Sequence, residues 1–247
     1  MPEGKSETYL WLRPERPRPG PQTPLSRSQI AQAAIALADQ DGEAAVTMRK
    51  VAARLGCGTM SLYRHVRNKD ELIDVMIDAV IGEDGGPPSR PGDDWRAALR
   101  GNALWLRHQV LRHPWVPQVL PARPYLGPNM LATVERSLAA VDGLGLSTDQ
   151  MVSVIRTVDA FVKGFTQNEL AEREWRRPPA DQPPDGWAAS AIPYLQHITA
   201  AGQYPLFTHV MIEAEDFPDA DRDFEWQLDR VLDGLAAAIP APTAPPP

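Results

Sequence analysis

The stretch over residues 47–69, TMRKVAARLGCGTMSLYRHVRNK, constrains this chain more than any other. Two short helices that cross steeply need a small side chain where they touch, and Ala52 supplies one. The turn between them needs a residue that tolerates positive φ, and Gly56 stands where the first helix should end. The second helix must bury one apolar side chain against the first; Leu62 is in place, with Val51 and Leu55 completing a small core. Spacing alone fits an ordinary helical hairpin as well as a helix-turn-helix. The polar positions separate the two. Thr59, Ser61, Tyr63, Arg64 and His65 fall within about two helical turns, and Arg67 and Lys69 follow at once. Hydroxyls and a phenol suit phosphate oxygens, and Arg suits guanine edges or phosphate. Lys69 falls at the first position of the next helix, where free amides also attract phosphate.

Charge is distributed to match. The formal net charge is −7, which by itself argues against a polyanionic partner, yet residues 1–69 carry 11 Lys/Arg against 6 Asp/Glu and the remainder carries 14 against 26. A basic head on an acidic body presents one end to nucleic acid.

Elsewhere the apolar periodicity is helical. Ile30, Ala34, Leu37 and Ala38 line one face of a helix ended by Gly42, and Thr47 is placed to cap the next. Asn68 caps a helix whose apolar face is Leu72, Val75, Met76, Ala79 and Val80. Ser147 and Gln150 form a capping box before Met151, Val154, Ile155, Val158, Phe161, Val162 and Phe165. Phe224, Leu228, Val231, Leu232, Leu235 and Ile239 repeat the pattern. With no sustained period-2 alternation, the fold class is all-α. The domain plan is a flexible Pro/Arg-rich arm over 1–24, a helix-turn-helix head over 25–82, a larger helical body over 83–239 and a disordered tail over 240–247. The segments 82–94 and 177–186 read as loops.

The lone Cys57 permits no intrachain disulfide, no apolar run is long enough to span a bilayer, and residues 1–20 lack a secretory pattern, so a cytoplasmic protein with no membrane partner is expected. No nucleophile elbow, phosphate-cradling Gly loop or Cys/His metal set occurs, so no enzyme, cofactor or metal site is expected. His108 and His113, five residues apart, lie on different helix faces.

The segment LGCGTMSLYRHVRNKDEL resembles the recognition region of the tetracycline-repressor (TetR) family, in which a Leu-Tyr-x-His/Tyr-Phe/Val-x-x-Lys run ends the recognition helix; residues 62–69 match it. The resemblance is strong over residues 25–82 and architectural beyond. It implies that Arg49, Thr59, Met60 and Ser61 face bases or nearby phosphates. It also implies that Tyr63 and His65, with Arg64 beside them, contact the backbone, and that Lys69 anchors it. It implies a homodimer built on residues 147–175 and 221–239, reading a palindromic double-stranded operator, and a small-molecule effector held between the middle helices. Candidate pocket residues are Asn102, Trp105, His108, Trp115, Met130, Asp159, Phe161 and Phe165, with Tyr125, Asn168, Tyr194 and His197. As a set they suit an aromatic, partly polar ligand. Tetracycline-binding members hold Mg²⁺ through a histidine shortly before an Arg-Pro pair; here Val119, Leu120, Pro121 and Ala122 precede Arg123-Pro124, so tetracycline–Mg²⁺ is not the expected effector. The reading is a ligand-responsive transcriptional repressor, with an effector-independent DNA-binding or adaptor protein as the alternative. Arg13, Arg16, Arg18 and Arg27 are candidates for a minor groove.

Overall fold

The structure, a computed structural model, describes residues 9–14, 25–86, 94–119, 126–175, 186–213 and 219–239, and every regular element among them is helical. The head begins with α1 (Arg27–Asp41). The Ser26 hydroxyl accepts from the Gln29 amide at 3.2 Å while the Gln29 side chain accepts from the Ser26 amide at 3.0 Å, a reciprocal cap. Gly42, at φ +79°, ends the helix. Thr47 caps α2 (Met48–Arg54), α3 spans Thr59–Leu62, and Asn68 caps α4 (Lys69–Ile81). Ile30, Ala34, Val46, Val51, Leu62, Val66, Leu72 and Met76 are fully buried at the centre of the head.

The body contains α5 (Trp95–Arg112), α6 (Val116–Val119), α7 (Pro128–Val141), α8 (Thr148–Trp175), α9 (Gly186–Ala200), α10 (Pro205–Glu213) and α11 (Ala220–Ala238). Its core is Leu99, Ala103, Val141, Val154, Val158, Val162, Phe224, Leu228 and Leu232, drawn from α5, α7, α8 and α11. Inside it lies a buried ion pair: the Arg107 guanidinium donates to both Glu169 oxygens at 2.9 and 3.0 Å, lies 4.7 Å from the Phe224 ring centroid, and reaches Asp221 at 2.7 Å. Together these contacts join α5, α8 and α11 around one cation. Arg100 and Arg96 extend the connection to Asp229 and Asp233 on α11.

Helix α4 has two apolar faces. Leu72, Val75, Met76 and Val80 belong to the head core, while Ile77 and Ile81 pack with Trp105, Val119 and Met130 of the body. Between these faces, buried Asp78 accepts from the Asn129 and Met130 backbone amides at 2.9 and 3.2 Å, and so caps α7 from a different helix. A second bond crosses from α1: buried His113, at the end of α5, has Nδ1 2.8 Å from Asp39 and Nε2 3.1 Å from Glu83.

Residues 9–14 differ from the flexible arm expected there. Leu10–Leu12 form a 3₁₀ turn, and Leu10 is buried in the head core. Trp11 packs against both that core and the α4–body cluster. Leu10 and Trp11 have apolar surface to bury, which outweighs the surrounding Pro and Arg, while Tyr9 and Leu12 on either side stay exposed. The remaining residues of the arm, and the tail over 240–247, lie outside the described residues, as do most of the two expected loops.

Removing one partner of the buried pair leaves a guanidinium in the core with only the exposed Asp221 to balance it. Glu169→Ala is expected to lower the unfolding free energy by about 3 kcal/mol, read from urea denaturation.

Candidate nucleic-acid interface and effector region

The turn between α2 and α3 is closed by backbone hydrogen bonds. The Cys57 amide donates to the Ala52 carbonyl at 3.0 Å and the Gly56 amide to the Ala53 carbonyl at 3.1 Å, with Gly56 at φ +64°. This is the Schellman arrangement, which needs a left-handed residue at the position of Gly56. Ala52 is 3% exposed, leaving space for the second helix, and Leu62 is fully buried. α3 is only four residues long; the chain continues as a tight turn in which the Val66 amide donates to the Leu62 carbonyl at 2.9 Å, burying Val66 as a second anchor.

This packing turns the other side chains outward. Arg49, Met60, Tyr63, Arg64 and Lys69 are exposed, Thr59 and Ser61 are half-buried, and Met60 is 73% exposed, a high value for an apolar side chain. His65 is half-buried, and its carbonyl accepts from Arg27 at 3.4 Å. Arg27 also donates to the Arg13 carbonyl at 2.9 Å, and Arg13 itself is paired with Glu71. These two cations hold the segment over residues 9–14 against the head.

A contrast in pairing marks the interface. Among the described residues, Arg49, Lys50, Arg54 and Arg64 form no ion pair with a carboxylate, whereas most arginines of the body do, namely Arg96, Arg100, Arg107, Arg112, Arg173 and Arg230, with Arg136 and Arg156 as exceptions. Two cations of the head are paired, Lys69 with Glu43 at 2.7 Å and Arg13 with Glu71. A group of cations without internal partners is suited to an external polyanion.

The candidate effector residues separate into several places. Asn102 and Met130 come together with Trp105 where α4, α5 and α7 meet: the Asn102 side chain donates to Ser137 at 3.1 Å, and Trp105 and Met130 pack on Ile77 and Ile81. Phe161 and Phe165 lie in the body core with their ring centroids 5.4 and 5.2 Å from that of Phe224. Trp115 is buried in the head core instead, its indole donating to Asp39 at 2.7 Å. His108, Asn168, Tyr194 and His197 are exposed. Tyr125, Arg123-Pro124 and residues 120–122 lie outside the described residues. Burial raises the Asp159 carboxyl above the usual range, with Lys163 acting in the opposite sense. A groove of about 680 Å³ runs between the α5–α6 corner (Leu111, Pro114, Pro117) and the end of α8 (Gln167, Leu170, Ala171). Sequence reasoning missed Asp78 and Gln109. Both sit inside helices with no motif around them; only their burial reveals them.

Comparison with known proteins assigns this architecture. Residues 30–76 match the model of the bacterial regulatory proteins of the tetR family, and residues 87–239 match the tetracyclin repressor-like C-terminal domain. The chain belongs to the TetR family. It is a DNA-binding transcriptional regulator with the helix-turn-helix in its head. It is 37% identical over 232 residues, 93% of this chain and 84% of the other, to the HTH-type transcriptional repressor DrrR1 of Streptomyces coeruleorubidus. It is 29% identical over 216 residues, 87% of this chain and 92% of the other, to the class A tetracycline repressor of transposon 1721 from Escherichia coli. Among solved structures it is similar to ActR of Streptomyces coelicolor in complex with actinorhodin, with a TM-score of 0.70 at 28% identity, covering 89% of this chain and all of that one.

Two outcomes follow for the regulator. Gly56→Ala, which has free space around it but the wrong φ for an L side chain, is expected to destabilise the chain by about 1–2 kcal/mol in urea denaturation. For Asp159, the native carboxyl holds its proton more tightly than the unfolded one, so ionising it disfavours the native state as pH rises. Asp159→Asn is therefore expected to raise the Tm at pH 7, with a gain that shrinks as pH falls into the ordinary carboxylate range.

Proposed function

We propose that this regulator works as a homodimeric repressor that reads a palindromic operator and is released by a small aromatic effector. α3 carries four residues of regular helix, so one head reads few base pairs. Two heads related by a two-fold axis would read half-sites about 34–36 Å apart. The exposed face of α8 around Val152, Ser153, Arg156 and Ala160, together with the exposed Trp226 of α11, is the surface that would meet the second copy. Arg49 and Arg64 are the base readers in this scheme, and Tyr63 and Lys69 hold phosphate. Thr59, Met60, Ser61 and His65 lie beside them.

The observation that carries the effector reading is the double allegiance of α4. The same helix packs in the head core and in the cluster with Trp105 and Met130, so a ligand that moves α5 or α7 necessarily acts on the head. The capture of ActR with actinorhodin supports an aromatic ligand for a similar chain.

The test is selection from randomised duplex pools followed by salt titration. A two-fold symmetric motif and a steep loss of affinity with salt are expected, and Arg64→Ala is expected to weaken operator binding about tenfold or more. Weak binding without sequence preference, in the presence and absence of effector candidates, would overturn the reading.

A further inference from the structure

Tyr63 and Lys69 stand at the two ends of one turn, the first just after α3 and the second at the start of α4. Between them only Val66 is buried, so a single apolar anchor fixes the middle of the turn. The backbone groups on either side of that anchor are held by side chains from outside the turn. Arg27 donates to the His65 carbonyl at 3.4 Å, and the Arg67 amide donates to Glu71 at 2.7 Å. Arg13 joins these two holders: its guanidinium is paired with Glu71, and its carbonyl accepts from Arg27 at 2.9 Å. Residues 13, 27, 65, 67 and 71 thus form a closed circuit of contacts that begins and ends on the neighbours of Val66. The side chains of Arg13 and Glu71 are only 15% and 16% exposed, so their attraction is screened less than that of a surface pair. The outer member of the circuit is itself seated, because Leu10 is buried in the head core and Trp11 packs against it.

We propose that Arg13 is a positioning residue for operator binding, holding the turn between Tyr63 and Lys69 at the spacing that lets both reach phosphate. The inference rests on the assignment of those two residues as phosphate holders. A turn with one buried anchor can rock about it. Two bonds to the backbone on opposite sides of the anchor oppose that motion, and ordering imposed before binding is not lost on binding. Arg27 and Glu71 supply one bond each, and Arg13 ties them to each other so that they act as a single clamp. Arg13 and Arg27, which the sequence offers to a minor groove, are both engaged within the protein. Residues 9–14 therefore serve the reading surface from behind, without touching DNA.

The experiment uses the full chain and the operator recovered by selection. Arg13→Met is expected to weaken operator binding about fivefold. The slope of affinity against salt should stay as in the wild type, whereas loss of a cation that touches phosphate lowers it by about 0.9. Glu71→Gln gives a test of sign. Removing an anion beside DNA strengthens binding on charge alone, but breaking the clamp weakens it, and the double variant should bind no worse than Arg13→Met. Amide hydrogen exchange reads the turn directly: in Arg13→Met the Arg67 amide is expected to exchange about fivefold faster or more, while the Val66 amide, bonded to the Leu62 carbonyl, keeps its protection. Equal loss of protection at both amides, a reduced salt slope, or tighter binding by Glu71→Gln would overturn the proposal. If Arg13→Met does not fold, Arg13→Gln is read by the same criteria. Tyr63→Phe and Lys69→Ala separate the two levels: if neither weakens the operator, the phosphate assignment falls and takes this inference with it; if both do and Arg13→Met does not, this inference alone is refuted.

Discussion

A carboxylate on the last head helix, Asp78, holds the first turn of a body helix. Three of its bonds go to Asn129 and Met130, two from backbone amides and one from the Asn129 side chain. Free amides at a helix start require an acceptor, and in α7 the residue before the helix is Gly127, which has no side chain to provide one. The body therefore borrows its cap from the head. This makes the two units one cooperative structure and fixes where α7 begins relative to α4. The interior between α4, α5 and α7, with Asn102, Trp105 and Met130, takes its shape from that contact.

The two ends of the molecule use charge in opposite ways. In the body, cations are internal fasteners: Arg107 with Glu169 in the core, Arg100 and Arg96 with α11 nearer the surface. Such pairs fix geometry more than they add stability. In the head, the cations of α2 and Arg64 just after α3 are left without internal carboxylates, so their field is available to an outside partner. The charge asymmetry of the sequence thus has a structural counterpart that a residue count does not show.

Much of this was legible in the sequence. The glycine turn, the caps at Thr47, Asn68 and Ser147, and the long helices α8 and α11 all come from local rules, where a residue's own conformational preference decides the outcome. The candidate effector residues were less legible because burial and partnership are set by tertiary packing. Trp115 has the composition of a pocket residue, yet the chain turns after His113 and delivers it to the head. Gln109 looks like a surface residue of an amphipathic helix, and only the closure of neighbouring helices over it makes it conspicuous. Residues 9–14 are illegible for the opposite reason: proline and arginine dominate the arm, and Leu10 and Trp11 are ordered by a head core that local sequence does not show.

That short run has a consequence for how the family can diversify. Segments ahead of the first helix are commonly free to drift, to be lengthened, or to carry a fused peptide, because nothing depends on them. Here Trp11 touches the head core and the α4–body cluster at once, and Arg13 is tied to Glu71 beside the cap of α4. An alteration within residues 9–14 would thus be felt where the two units meet, far along the sequence from the change, so this short run can alter how head and body move together with the helix-turn-helix itself unchanged.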